Sequence, residues 1–336
     1  AYEEPTDLPA RLFVKLPPTD EMQRLFVTAN GMGRREAMFY ESLSAEVPLR
    51  VPRSYFAASD DTGEAYIMLL EHLEDSGCTF GNASSRYSLD YIRQVLDEFA
   101  QLHAAFWDSP RFATDLAWVE PPPQHDAARD LIAQALEQHA GDMPGVFRDM
   151  GELYIAEADG IHAIWGEGVP TLIHGDVHDA NLFFDNGRPG FLDWALVGRA
   201  PAMRDVGYFL AGTLSVEDQP EHGPAMLSYY REQLLALGAP APGIDALWQQ
   251  YQWHAAYVWV GAAVTLAVLT LIVSLGKWTW LTTVWPYLAV AAGWGARLWR
   301  MARWQWRAWA VGRNTRTLTH DAGALRRMLM RIPGPQ

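Results

Sequence analysis

One short segment of the chain concentrates the side chains that could do chemistry. Five of them fall between residues 172 and 194, and they are His174, Asp176, His178, Asn181 and Asp193. Asp185-Asn186-Gly187 separates two apolar runs there, predicted as strands 181–184 and 189–194, and Asn-Gly is the strongest short hairpin signal. A hairpin would bring two carboxylates and an amide together, a cluster that needs a cation. A few oxygen ligands suit Mg²⁺ held jointly with phosphate groups.

The order of these residues resembles that of kinases. The segment reads His174-Gly-Asp-Val-His-Asp-Ala-Asn181, and Leu192-Asp-Trp194 follows. Protein kinases carry a catalytic-loop Asp, an Asn a few residues later and a second Asp beyond a hairpin. The His-Gly-Asp form and the Leu-Asp-Trp form resemble the aminoglycoside phosphotransferase and choline kinase-like superfamily of small-molecule kinases, which includes ecdysteroid kinase-like proteins. By motif, the resemblance covers residues 11–215.

The resemblance implies a role for each of these side chains. Asp176 would accept or orient the proton of the acceptor hydroxyl. His174 would hold the loop by hydrogen bonding, and His178 would support it or face the substrate. Asn181 and Asp193 would bind the Mg²⁺ that bridges the phosphates of ATP.

Upstream of the hairpin, Lys15 is one of only two lysines in the chain. It lies in a strand-like run, where the resemblance implies contact with the α and β phosphates of the nucleotide. In kinase-like folds a helix glutamate orients this ammonium group, and Glu36, in a predicted helix over residues 33–43, is the first candidate. Glu41 is the second candidate. A strand-edge lysine and a solvated helix glutamate are the alternative interpretations.

Three further segments fit the same resemblance. Residues 66–70 form a continuous apolar run, predicted to be a buried strand, and the backbone of Glu71 and Leu73 after it would meet the adenine edge. Residues 88–107 have helical apolar spacing, and His103 near their end is predicted to be structural. Asp205, at the start of another apolar helix, is predicted to cap that helix and to support the catalytic loop.

A glycine-rich phosphate loop is expected upstream of Lys15, between the first two strands of such a fold. The residues before Lys15 contain no glycine, and Asn30-Gly-Met-Gly33 comes after it. A bare Gly-x-Gly is weak evidence for a phosphate loop. We therefore expect the chain to begin inside the second strand and to lack the nucleotide lid.

Composition favours a cytoplasmic globular enzyme. The chain has 336 residues and a single cysteine, Cys78, which excludes an intrachain disulfide and indicates a reducing compartment. Its net charge of −14 disfavours a nucleic-acid partner and suits a cationic or neutral small substrate.

The stretch from Ala255 to Gly276 has two interpretations. It carries no charged residue, and its length and hydropathy meet the criterion for a transmembrane helix. The basic and aromatic residues that continue to position 310 would suit an anionic membrane surface. A buried helix of a large lobe has the same pattern, and we favour burial over membrane contact.

These observations predict an α+β, protein kinase-like fold with two lobes. Residues 1–73 would form a reduced N-terminal lobe, with strands near 11–16 and 65–70 around one helix. Residues 74–336 would form a mostly helical C-terminal lobe that carries the catalytic hairpin at 172–194. The predicted activity is ATP-dependent phosphorylation of a hydroxyl group on a small molecule, with an aminoglycoside-, choline- or steroid-like acceptor.

Two other classes of function remain open at this point. A metal-dependent hydrolase would use four of the motif side chains as transition-metal ligands: His174, Asp176, His178 and Asp193. That class gives no role to Lys15 or Asn181. A kinase fold that binds without catalysis is the other class; the missing glycine loop favours it, and the intact motif opposes it.

Overall fold

The computed structural model describes residues 9–81, 87–122, 126–139, 145–214 and 218–274. The strands are β1 (Leu12–Lys15), β2 (Ser54–Ser59), β3 (Tyr66–Glu71), β4 (Thr79–Phe80), β5 (Pro170–Ile173), β6 (Leu182–Asp185), β7 (Arg188–Phe191) and β8 (Gly198–Pro201). The helices are α1 (Glu21–Ala29), α2 (Met32–Ser42), α3 (Leu89–Ala105), α4 (Asp126–His139), α5 (Gly145–Trp165), α6 (Met203–Thr213), α7 (Gln219–Ala236) and α8 (Ile244–Ser274). The α+β prediction is confirmed: a small N-terminal sheet precedes a mostly helical body.

The N-terminal sheet has the order β1-β3-β2, with both outer strands antiparallel to β3. Helix α2 packs on it through Ala37 and Phe39, which are fully buried, as is Met68 of β3. The two predicted strands and the helix correspond to β1, β3 and α2. Strand β2 and helix α1 were not predicted. Ser54-Tyr-Phe-Ala-Ala-Ser59 has no clean polar–apolar alternation, and two large side chains of α1, Leu25 and Phe26, are exposed.

Helix α3 forms the centre of the helical body. Ser88 caps its start by accepting a hydrogen bond from the backbone N–H of Tyr91. Side chains at helical spacing then line a fully buried face: Ile92, Val95, Leu96, Phe99 and Leu102. This face contacts α6, α7, β5 and β7, so α3 joins the hairpin to the rest of the body.

The predicted hairpin is formed by β6 and β7. Asp185 pairs with Arg188, and the two residues between them have left-handed backbones, with φ of 50° at Asn186 and 83° at Gly187. Asn-Gly favours this two-residue turn because both residues tolerate positive φ. The second strand ends at Phe191, three residues before the predicted end. Asp193 has a φ of 63°, which no strand residue adopts.

Two arginines fix the hairpin to its surroundings. Arg50 places Nε 2.6 Å from Asp185 of the turn and Nη2 2.7 Å from Glu71 at the end of β3. Arg188 makes paired contacts of 2.8 Å and 2.7 Å with the carboxylate of Glu98 on α3. Paired arginine–carboxylate contacts define orientation as well as distance, so the hairpin is held between the N-terminal sheet and α3.

Helix α8 continues into the apolar stretch that begins at Ala255. Trp253, Trp259 and Val260 are buried in a cluster with Tyr154 and Trp165 of α5. None of the helices in the described ranges is long and apolar enough to cross a membrane. The rest of the membrane-like segment, residues 275–310, lies outside the described residues.

The buried side of α8 can be tested with one charge. We expect Val260→Asp to lower the melting temperature sharply, because a carboxylate would replace a side chain that is 5% exposed. Ala246→Asp, at an exposed site near the start of the same helix, should change it little. Thermal unfolding followed by circular dichroism compares the two. Equal melting temperatures would contradict the burial of this face.

Candidate active site

The predicted catalytic loop, residues 174–181, leaves β5 at a turn that requires glycine. Gly175 has a φ of 86°, and a Cβ atom there would lie 2.3 Å from the carbonyl oxygen of Leu196. Both facts exclude a residue with a side chain, because its Cβ atom would collide with that oxygen and because the left-handed backbone is strained for residues other than glycine. Gly175 therefore sets the direction in which His174 and Asp176 leave the strand.

A buried carboxylate holds this turn. Asp205 accepts hydrogen bonds from the backbone N–H of His174 at 2.7 Å and of Gly175 at 2.8 Å. His103 Nε2 lies 3.4 Å from the same carboxylate, and its Nδ1 lies 2.7 Å from the hydroxyl of Tyr230. The predicted support of the loop by Asp205 is therefore observed, whereas the predicted helix cap is wrong. Asp205 is the third residue of α6, and its oxygens face the loop instead of the helix N-terminus.

His174 is fully buried and uses both ring nitrogens. Nε2 donates to the carbonyl oxygen of Leu192 at 3.0 Å, and Nδ1 accepts from the backbone N–H of Asp176 at 3.3 Å. This pattern requires the neutral ring, and burial lowers its pKa accordingly. His174 thus joins the loop to the end of the hairpin, and it has no lone pair left for a metal ion.

Asp176 is the centre of a second set of contacts. Oδ1 accepts a hydrogen bond from the Tyr208 hydroxyl at 3.1 Å, and Oδ2 lies 3.6 Å from Nε2 of His178. Burial opposes ionisation of Asp176, but hydrogen bonding to His178 and its charge shift the pKa of the carboxyl below its usual value. Burial likewise opposes protonation of His178, and Asp176 nonetheless raises the pKa of that imidazole. At neutral pH, Asp176 is therefore an ionised, oriented carboxylate.

Asn181 faces the same loop with its amide nitrogen. Nδ2 donates to the backbone carbonyl of Asp176 at 2.9 Å. The amide oxygen makes no hydrogen bond to this loop carbonyl and is the atom of Asn181 that could ligate a cation. With the Asp193 carboxylate, this oxygen would give an all-oxygen donor set, the kind that Mg²⁺ prefers. Within the described part of the chain, no group of three or more His, Cys, Asp or Glu residues could hold a metal ion.

Lys15 meets two carboxylates from distant parts of the chain. Its Nζ lies 2.5 Å from Glu36 of α2 and 3.0 Å from Asp193 after the hairpin. Burial disfavours the charged ammonium, yet the two carboxylates raise the pKa of Lys15 above its usual value. The structure thus pairs Lys15 with Glu36, the first candidate, whereas Glu41 is exposed.

The two residues predicted to meet adenine lie at the end of β3. Glu71 is the last residue of the strand, and its side chain is bound by Arg50. Leu73 follows, and its side chain packs with Cys78 and Phe183. Their predicted backbone contacts with a nucleotide remain a prediction.

Sequence reasoning missed Tyr208, whose hydroxyl binds Asp176. The available signal was spacing: Tyr208 follows Asp205 by three residues on α6, so both side chains face the catalytic loop. Helix periodicity alone could not distinguish this tyrosine from the other aromatic side chains of the core.

One protein family and several solved structures are similar to this chain. A model of the phosphotransferase enzyme family matches residues 6–255. No curated protein matches the sequence. A putative aminoglycoside phosphotransferase from Ralstonia eutropha is 14% identical over 90% of this chain and 93% of its own, with a TM-score of 0.49. The choline kinase LicA from Streptococcus pneumoniae is 12% identical over 85% and 86%, with a TM-score of 0.46.

The fold and the loop geometry define the class: an α+β protein with a kinase-like catalytic loop and hairpin. The family match covers most of the chain, and the chain therefore belongs to the phosphotransferase enzyme family. The predictions of the family and of a small-molecule kinase are confirmed at this level.

The pair of Lys15 and Glu36 gives a pH-dependent prediction. Burial raises the pKa of Glu36 to about 7 from an ordinary 4.5, and Lys15 only partly opposes this. The folded state therefore binds more protons than the unfolded state between these values, so stability contributed by Glu36 falls as pH rises through that window. Activity should rise over the same window, because ionised Glu36 holds Lys15 in place. The raised pKa of Lys15 affects stability only in alkaline solution.

Glu36→Gln should flatten both dependences and lower turnover, and Glu41→Gln should behave like the wild type. Melting temperatures and kcat measured from pH 5 to pH 9 compare the three proteins. The substitution also separates the effect of Glu36 from that of His178, whose pKa is raised by the contact with Asp176. A wild-type pH profile in Glu36→Gln would show that Glu36 does not control the site.

Proposed function

We propose that the protein is a Mg²⁺- and ATP-dependent kinase that phosphorylates a hydroxyl group of a small molecule. The observation that carries the proposal is the ion-pair chain from Glu36 through Lys15 to Asp193. These residues, far apart in sequence, meet in one ion-pair chain. Lys15 would supply a fixed cation for the phosphates of ATP, and Asp193 would supply oxygen ligands for Mg²⁺.

Each side chain has a role in phosphoryl transfer. Lys15, oriented by Glu36, would neutralise charge that develops on the nucleotide phosphates. Asn181 and Asp193 would hold Mg²⁺, which would neutralise negative charge on the nucleotide phosphates. The backbone of Glu71 and Leu73, at the end of β3, would bind adenine. We also propose that the boundary between the lobes lies after residue 73.

Asp176 would position the acceptor hydroxyl more than deprotonate it. Its lowered pKa makes it a weak base, although an ionised carboxylate accepts a strong hydrogen bond from a hydroxyl. Phosphoryl transfer through a loose transition state needs alignment and charge neutralisation more than early proton removal. His174 would act through the loop that it orients, and His178 through its contact with Asp176.

The geometry disfavours the hydrolase class. Both ring nitrogens of His174 are occupied by backbone groups, so the four-ligand transition-metal site loses a ligand. A fold that binds without catalysis would need no ionised Asp176 beside a paired Lys15. We further propose a cytoplasmic enzyme without a nucleic-acid partner, consistent with the net charge of −14.

The test has two stages. Calorimetry should show that ATP binds to the protein with Mg²⁺ and binds much more weakly with EDTA. A panel of aminoglycosides, choline-like amines, sugars, macrolides and steroid-like alcohols should then contain compounds that stimulate ADP formation. A phosphorylated product identified by mass spectrometry completes the assignment. Zinc-dependent hydrolysis, or nucleotide binding without turnover on any compound, would favour one of the other classes.

A further inference from the structure

Arg204 is a buried charge that the proposed mechanism does not use. Its side chain is 9% exposed, and it lies on α6 directly before Asp205. Among the described residues no carboxylate forms an ion pair with it, and its Nε is a buried donor with no acceptor. Asp205 does not neutralise it, because the Asp205 oxygens face the catalytic loop. A buried charge without a partner is strongly unfavourable, so the described residues leave Arg204 able to bind an anionic ligand.

Two aromatic rings hold the guanidinium in place. Its central carbon lies 3.1 Å from the ring centroid of Tyr257 and 5.7 Å from that of Trp165. Stacking on aromatic faces stabilises the cation and leaves the N–H groups at its edge able to bind a planar or tetrahedral anion. The stack therefore accounts for the orientation of Arg204 but leaves its hydrogen-bonding capacity unused.

Arg204 also faces the side of α6 that meets the catalytic loop. It precedes Tyr208 by four residues, a spacing that puts both side chains on one helix face with Cβ atoms about 6 Å apart. The Tyr208 hydroxyl binds Asp176, and the Tyr208 ring lies 5.8 Å from the Tyr257 ring that stacks on Arg204. A molecule with its hydroxyl at Asp176 would therefore have Arg204 about one helical turn away.

A second buried group without a partner lies beside Arg204. His254 of α8 is 1% exposed, and neither of its ring nitrogens has a hydrogen-bond partner in the structure. It packs against α6 at Gly207: a Cβ atom added to Gly207 would lie 3.1 Å from the Cβ atom of His254. Burial, aided by the charge of Arg204, lowers the pKa of His254, so the imidazole is neutral and has one N–H to donate. His254, which lies close enough to Arg204 to feel its charge, is therefore a second candidate donor to the same anion.

We propose that Arg204, with His254, binds an anionic group of the phosphoryl acceptor, a carboxylate or a phosphate carried by the same small molecule that presents its hydroxyl to Asp176. The inference rests on the proposed kinase function and specifies its acceptor class. It differs from the expectation of a cationic or neutral substrate drawn from the net charge of −14. A desolvated cation at contact distance outweighs the screened field of distant surface charges.

The first experiment uses the wild-type protein and acceptors in matched pairs. Galacturonate is compared with galactose. Glycerate and glycerol 3-phosphate are each compared with glycerol, and choline and kanamycin are included as cationic compounds. Binding is measured by calorimetry in the presence of Mg²⁺ and a non-hydrolysable ATP analogue, and turnover by ADP release. We expect the anionic member of a pair to bind more tightly and to be the better substrate.

The second experiment changes the cation. Arg204→Gln should raise KM for the anionic acceptor about 10- to 100-fold, the loss typical of a hydrogen bond to a charged group, with a smaller effect on kcat. Arg204→Lys should restore part of the affinity. Arg199→Gln is the matched control. Arg199 already donates a hydrogen bond to the carbonyl oxygen of Phe112, so this substitution should leave KM unchanged. Circular dichroism establishes that each variant is folded.

The outcomes separate the two proposals. A preference for neutral or cationic acceptors, or equal binding within each pair, overturns the anion site and leaves the kinase function standing. Unchanged discrimination in a folded Arg204→Gln overturns it as well. If Arg204→Gln does not fold, the comparison of matched acceptors on the wild-type protein tests the anion site without it. Absence of Mg²⁺-dependent ATP binding in the wild type overturns the kinase function and this inference together.

Discussion

Asp176→Asn should lower turnover by about 10²–10⁴-fold, the range expected for a side chain that accepts or orients the reacting proton. Asparagine keeps the shape of the side chain, and its oxygen can still accept the hydrogen bond from the Tyr208 hydroxyl, so the loop should keep its geometry. The loss would therefore report the charge that orients the acceptor hydroxyl. Steady-state kcat with an identified acceptor measures the effect, and calorimetry with ATP should show nearly unchanged nucleotide affinity.

Tyr208→Phe is the companion to this variant. It removes one hydroxyl from Asp176 and keeps the ring, so we expect turnover to fall by about 10-fold, as for one hydrogen bond at the reacting group. A smaller effect than that of Asp176→Asn would rank Tyr208 as a positioning residue. Near-full activity of Asp176→Asn with a confirmed acceptor would remove Asp176 from its role.

The hairpin was predictable because its signals are local. Asn186-Gly187 specifies the turn, and the apolar runs on either side specify the strands. The end of β7 was not predictable from this pattern, because Trp194 continues the apolar run. The Trp194 ring stacks on Phe39 of α2 at a centroid distance of 4.1 Å. Its contact with α2 and the left-handed backbone of Asp193 depend on tertiary packing.

The assembly of the site was predictable only through the family resemblance. Lys15 and Asp193 are 178 residues apart in sequence, and nothing local indicates that they meet. Arg204 and Tyr208 were missed because both lie in an apolar helix whose pattern indicates burial alone. Their chemistry depends on what the neighbouring helix presents, and Tyr257 of α8 provides that contact for both.

The environment of helix α8 also could not be predicted from its sequence alone. A long apolar run has no periodicity that separates a buried helix from a spanning one. Its contacts with α4, α5, α6 and α7 give the described part of the helix partners within the protein. Packing against these helices, which no single segment encodes, accounts for the buried side chains of Trp253 and Val260.

Asp193→Asn should abolish the Mg²⁺-dependent part of ATP binding, with an expected loss of about 100-fold in affinity, because the ion links this carboxylate to the phosphates. Asparagine is the suitable replacement, since Asp193 has a φ of 63° and asparagine tolerates positive φ better than alanine does. Asn181→Ala should weaken binding less, because a neutral amide contributes less than a carboxylate. Asp115→Asn is the control: it changes an exposed carboxylate that Arg111 already binds. Calorimetry with and without EDTA compares the four proteins, and an Asp193→Asn variant with wild-type Mg²⁺ dependence would contradict the proposed metal site.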